Sequence, residues 1–143
     1  MNKINTPHKL RIAIAGLGFG KKIHLEALKE SDYLIPTAIY HYKKEKGASL
    51  EKETGLSFYH DWEQLIKSKD IDGIIIATSP ESRFELAKKA LENNKHLLLE
   101  KPVALTSLEI EELQRISLIN NLSVCVDFEY RAVPLFLQTK KLI

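Results

Sequence analysis

The chain reads as an α/β fold, a doubly wound parallel sheet, on three observations. Short apolar runs alternate with stretches of helical period along nearly its whole length. Most of these runs are continuously apolar, as strands covered by helices on both faces must be. The first run also breaks into "GLGFG", Gly16 to Gly20, where the next helix should begin.

The strand candidates, in order, are "LRIAIAG" from Leu10, "LIPTAIY" from Leu34, "LSFYH" from Leu56, "GIIIAT" from Gly73, "HLLLE" from His96 and "LSVCVDF" from Leu122. Between them the helix starts are marked. Asp61 precedes "WEQLI" with Gln64 three residues on, Ser79 precedes Pro80 at a first helical position, and Thr106 with Glu109 frames a capping box before "IEELQRI". Phe84, Ala87 and Leu91 share one helical face, as do Ile23 and Ala27, so each helix has an apolar stripe to lay on the sheet. Parallel crossovers are right-handed, which turns this alternation into the strand order 3-2-1-4-5-6.

The overall numbers suit one domain with a sizeable core: 143 residues, 44% hydrophobic, formal net charge +2. Near-balanced charge argues against a nucleic-acid partner. No apolar run approaches the roughly 20 residues of a membrane span, and the polar start "MNKINTPHKLR" has no signal-peptide core, so a cytoplasmic location is expected. The single cysteine, Cys125, offers no disulfide and no metal pair, and its apolar neighbours predict a buried small hydrophobe. No metal site is predicted.

A doubly wound sheet explains the glycines. The turn after its first strand faces a crevice, and the following helix presents unpaired N–H groups there, which suits a pyrophosphate. Gly16 allows the tight turn, and Gly18, lacking a Cβ, admits the anion close to the backbone. Gly20 fits less neatly. The dinucleotide fingerprint GxGxxG would place its third glycine at Lys21, so the pattern is missed by one position. On spacing alone, glycines that merely make a tight strand-to-helix turn remain an alternative.

The segments "GLGFGKKIHLEAL", "DWEQLI", "IDGIIIATSPESRFELAKKAL", "NKHLLLEKPVAL" and "VDFEYRAVP" resemble the glucose-fructose oxidoreductase and inositol dehydrogenase (Gfo/Idh/MocA) family of NAD(P)-dependent oxidoreductases, over about Lys9 to Pro134. The resemblance implies a Rossmann fold that binds a dinucleotide, with Gly16, Leu17, Gly18, Phe19 and Gly20 at the pyrophosphate and Ala77, Thr78, Ser79 and Pro80 lining the site. Its most specific element is Glu100-Lys101-Pro102, which implies Lys101 as the catalytic lysine near the nicotinamide, with Glu100 either orienting Lys101 or touching the cofactor. Hydride chemistry at a carbinol carbon needs a proton partner and positive charge near the oxygen, and Lys101 offers both. A partly desolvated cleft would push its pKa down. Arg131 matches an arginine near the nicotinamide. His24 stands at the family's histidine on the first helix, where it either packs or meets the phosphates. Arg83 departs from a family histidine and offers a grip for a carboxylate or phosphate.

Cofactor choice is read at the end of the second strand. There "AIYHYKKEKG" has no acidic residue for a ribose 2′-hydroxyl but offers His41, Tyr42, Lys43 and Lys44, which favours NADP over NAD. The organisation expected is a dinucleotide-binding domain over 1–131, then at 132–143 the start of a helix leading to a substrate domain that the chain lacks. A sugar, cyclitol or similar small-molecule substrate would be held by that domain. The apolar Leu135, Phe136, Leu137, Leu142 and Ile143 would then invite self-association. The alternative function is a non-catalytic dinucleotide-binding module or a subunit completed by another chain. The EKP segment argues against S-adenosylmethionine or a nucleotide sugar as ligand.

Overall fold

The computed structural model describes residues 9–142; the first eight residues and Ile143 lie outside the described residues. Six parallel strands form one sheet: β1 (Leu10–Ala15), β2 (Leu34–Tyr40), β3 (Ser57–Tyr59), β4 (Gly73–Ile76), β5 (His96–Leu99) and β6 (Val124–Val126). Their order is β3-β2-β1-β4-β5-β6, the doubly wound order predicted from the alternation. The helices are α1 (Leu25–Lys29), α2 (Gly47–Thr54), α3 (Trp62–Lys67), α4 (Pro80–Glu92), α5 (Ser107–Ile119) and α6 (Pro134–Leu142), with a π-helical turn (Gly20–His24) running into α1.

Burial on both faces accounts for the continuous apolarity of the central strands. Along β1, Ala13 and Ala15 join Leu65, Ile74, Ile76, Leu91, Leu99 and Leu113 in one core layer. The alternate residues Ile12 and Ile14 face the other way, against Leu25, Leu28 and Ile75. The β1–β2 register shifts between Ile12 and Ala13, opposite Pro36, a residue that has no N–H to give the ladder.

Two predicted caps form as read. Asp61 Oδ1 accepts from the N–H of Glu63 at 2.8 Å and of Gln64 at 3.4 Å, and Thr106 with Glu109 closes a reciprocal capping box on α5. Ser79 stands at the N-cap position with Pro80 first in α4, but its side chain makes no capping hydrogen bond.

Two expectations are corrected. Ile23 is 50% exposed and Ala27 is also exposed, while His24, Leu25 and Leu28 form the buried stripe of the first helical segment. The cause is the π-turn, in which the N–H of Leu25 bonds back to the carbonyl of Gly20; its extra residue rotates the rest of the helix by about a quarter turn. Cys125 is exposed rather than buried, because β6 is an edge strand. Helix α6 packs against the 3-10 turn Glu129–Ala132, where Tyr130 and Phe136 meet at 5.7 Å, and it leaves Leu135, Phe136, Leu137 and Leu142 exposed. No helix of the described residues is long and apolar enough to cross a membrane.

Candidate dinucleotide site

The carboxyl ends of β1, β2 and β4 open onto a cleft of about 550 Å³. Each glycine of the first turn has a separate task there. Gly16 has φ +118°, and a Cβ on it would meet the carbonyl oxygen of Ala77 at 2.4 Å, so the turn requires glycine. At Gly18 an added Cβ would find no atom within 4 Å, so this position faces the open cleft. At Gly20 a Cβ would stand 3.1 Å from Ile14 Cγ2 and 3.2 Å from the Cβ of Ala77. Gly20 therefore does the close helix-to-strand packing assigned to the third glycine of the fingerprint, one position early, at the first residue of the π-turn.

Leu17 also lines the cleft, together with Ala77, Thr78 and Ser79 from the end of β4 and His41 and Tyr42 from the end of β2. Tyr40 of β2 and Ser82 and Leu86 of α4 complete the wall; the sequence singles out none of the three, although Ser82 and Leu86 come after Thr78 and Ser79 at helical spacing. The rings of His41 and Tyr42 stack at 4.6 Å, and Lys43 Nζ stands 5.8 Å from the Tyr42 ring centre. His41 Nδ1 accepts the Lys43 N–H at 3.1 Å. Burial, helped by the charge of Lys46, holds the His41 imidazole below its ordinary pKa, so it is uncharged at neutral pH.

Lys101 and Arg131 line a separate recess, also of about 550 Å³, with Phe128, Glu129 and Tyr130. The structure thus divides the predicted residues between two spaces that share no lining residue. Phe19, Gly20, Lys43, Pro80 and Glu100 line neither. Gly20 and Glu100 are buried behind them, Pro80 opens α4, Lys43 reaches over Tyr42, and Phe19 sets its edge on the His24 ring at 5.3 Å.

Two chemical expectations are corrected. Lys101 is exposed, and its Nζ pairs with Glu129 Oε1 at 3.0 Å. That hydrogen bond and charge hold its pKa above the ordinary lysine value instead of below it, because little burial opposes them. Arg83, read as a grip for an anion, is 3% exposed and committed to main-chain carbonyls. Its guanidinium donates to Glu100 O at 2.7 Å and, in shorter contacts, to Pro102 O and Thr78 O. It therefore ties the ends of β4 and β5 together beside the Lys101–Pro102 bond, which is cis.

Behind Lys101, His24 Nε2 lies 2.9 Å from Glu100 Oε1 and 3.6 Å from Asp127 Oδ2. Burial holds the Asp127 carboxyl above its usual range, against the opposing pull of His24. One donor atom from each of the three residues lies within 4.8 Å of the others. Asp127 was missed by sequence reasoning; its only signal is an acid closing the apolar run "LSVCVDF".

A glycine turn with one position open to the crevice, at the carboxyl ends of a doubly wound sheet, defines a nucleotide-binding domain of the Rossmann class. The sequence model of the GFO_IDH_MocA family, described as an oxidoreductase family with an NAD-binding Rossmann fold, matches residues 10–128, and the chain belongs to that family. It is 35% identical over 126 residues to an uncharacterized oxidoreductase of Synechocystis, covering 87% of this chain and 34% of that protein. It is 28% identical over 105 residues to myo-inositol 2-dehydrogenase of Thermotoga maritima, covering 73% of this chain and 31% of that enzyme. The crystal structure of an NAD-binding protein from Listeria innocua superposes with a TM-score of 0.87 at 29% identity, over 94% of this chain and 40% of that one. The chain thus spans between about a third and two fifths of the length of these relatives.

Proposed function

We propose that the chain is the cofactor-binding part of a dehydrogenase acting on a sugar, cyclitol or similar polyol, that it takes NADP in preference to NAD, and that Lys101 is the catalytic residue. The single observation that carries the reading is the open position at Gly18, set beside a cleft that ends in a polar but carboxylate-free wall at His41 and Tyr42. A pyrophosphate fits the glycine turn because, among the described residues, no atom stands within 4 Å of where a Cβ on Gly18 would be. The 2′-phosphate of NADP would meet Lys43 and the His41–Tyr42 stack, where the charges of Lys43 and Lys46 outnumber that of Glu45.

A bound nicotinamide would supply the hydride donor or acceptor. The Lys101 ammonium, kept protonated by Glu129, is suited to donating a hydrogen bond or a proton to the substrate's reacting oxygen. Arg131 in the same recess adds positive charge. Substrate choice and most of the substrate grip would come from the rest of a longer protein, so the isolated chain is expected to bind cofactor with little or no turnover. A second reading, a binding module completed by another chain or by self-association, is favoured by the exposed apolar residues of α6.

Parallel calorimetric titrations with NADPH and NADH test the proposal. Tighter NADPH binding, reversed or levelled by Lys43→Glu, supports it. Equal affinities refute the NADP preference, and no binding of either refutes the dinucleotide site.

A further inference from the structure

Buried His24 and Glu100 and half-buried Asp127 form a polar cluster that the role given to Lys101 leaves unused. His24 and Glu100 are each 7% exposed. Because a carboxylate oxygen accepts, the Nε2–H of His24 donates to Glu100 Oε1 at 2.9 Å. The other oxygen, Oε2, accepts the backbone N–H of Lys101 at 3.2 Å. The orientation of this one carboxylate therefore helps set where the Lys101 main chain lies, and His24, together with Asp127, which also hydrogen-bonds Glu100, sets that orientation.

The partners come from separate parts of the fold. His24 closes the π-turn that begins at Gly20, so it is anchored to the glycine turn; Glu100 and Lys101 come directly after β5, with Glu100 76 residues beyond His24. Arg83 holds the same segment from its carbonyl side, at Glu100 and Pro102. Asp127, whose N–H bonds to Leu99 O at 2.9 Å, brings a second acid within 3.6 Å of the imidazole and confines it further.

We propose that His24 is a positioning residue for Lys101: through Glu100 it couples the turn that receives the pyrophosphate to the lysine at the reacting end. This rests on the role given to Lys101 above. Loss of the imidazole donor leaves the Glu100 carboxylate held only by its hydrogen bond with Asp127 and by the Lys101 N–H, so the Lys101 main chain is guided less tightly.

The test uses the 143-residue chain with His24→Leu and His24→Gln. Two quantities are read: amide hydrogen exchange at Lys101 by NMR, and the dissociation constants of NADPH and of 2′-phospho-ADP-ribose, which lacks the nicotinamide. His24→Leu is expected to speed Lys101 exchange about tenfold and to weaken NADPH about fivefold, leaving 2′-phospho-ADP-ribose within about twofold. His24→Gln, whose side-chain N–H can still reach the carboxylate, is expected to restore both. Unchanged exchange at Lys101 overturns the proposal, since Arg83 alone would then hold the segment. Equal weakening of both ligands also overturns it, since His24 would then be a core residue only. Should His24→Leu fail to fold, His24→Ala replaces it, because it removes the same ring donor with less bulk in the core; the same readouts decide. A wild-type chain that binds neither ligand overturns the proposed function and this inference together, whereas unchanged Lys101 exchange in a chain that binds overturns the inference alone.

Discussion

The carbonyl oxygen of Ala77 lies only 2.4 Å from where a Cβ on Gly16 would have to be, and Gly16 holds φ +118°. Strand β4 therefore closes against the glycine turn with no room for any side chain. Both the conformation and the contact penalise alanine, so Gly16→Ala should lower the unfolding free energy by about 3 kcal/mol. Urea denaturation checks this; a loss within about 0.5 kcal/mol would mean that the turn relaxes freely.

Gly18 gives the opposite expectation from the same loop. Its Cβ direction is open, so Gly18→Val should fold with a melting temperature close to wild type and lose dinucleotide binding, as the isopropyl group occupies the space read as the pyrophosphate's. Calorimetric titration with NADPH, beside a thermal scan, measures both. Retained binding would place the anion elsewhere.

Arg83→Met should destabilise by about 3 kcal/mol, since Thr78 O, Glu100 O and Pro102 O lose a charged donor at a site 3% exposed. Chemical denaturation gives the number. Cofactor affinity in the same variant separates two roles: a direct anion grip by Arg83 would show as lost binding without lost stability.

Asp127 provides a pH signature. Burial raises its folded-state pKa above that of the unfolded chain, so its contribution to stability is full below the unfolded value and is lost as pH rises through the folded one. Ionised Asp127 is thus a net cost near neutral pH. Asp127→Asn should raise the melting temperature there, with the gain shrinking as the pH falls toward the ordinary carboxylate range. A variant less stable than wild type near neutrality would show that the attraction of His24 outweighs burial.

Much of the fold was legible because its signals are local. Short apolar runs, most of them continuous, marked all six strands, and Asp61 and Thr106 announced helix starts that the hydrogen bonds bear out. The glycine turn was legible in its place after β1 but not in its register. Gly20 packs against Ile14 and Ala77 only because the chain enters α1 through a π-turn, which also moved the buried stripe from Ile23 and Ala27 to His24, Leu25 and Leu28. Whether a helix begins with such a turn depends on what the sheet behind it accepts, and residue spacing does not carry that information.

By itself the sequence determined the α/β class, the strand order, the place of the nucleotide cleft and the absence of an acid at the end of β2. All of these come from periodicity, chirality and short-range spacing. Tertiary structure alone decided the chemistry of individual side chains. Glu129 raises the pKa of Lys101, carbonyls 17 and 19 residues away along with that of Thr78 take Arg83 out of solvent, and an edge position exposes Cys125. The reason is physical: the protonation state and reach of a charged group are set by burial and by neighbours within a few ångströms, and in a doubly wound sheet those neighbours come from strand ends far apart in the chain.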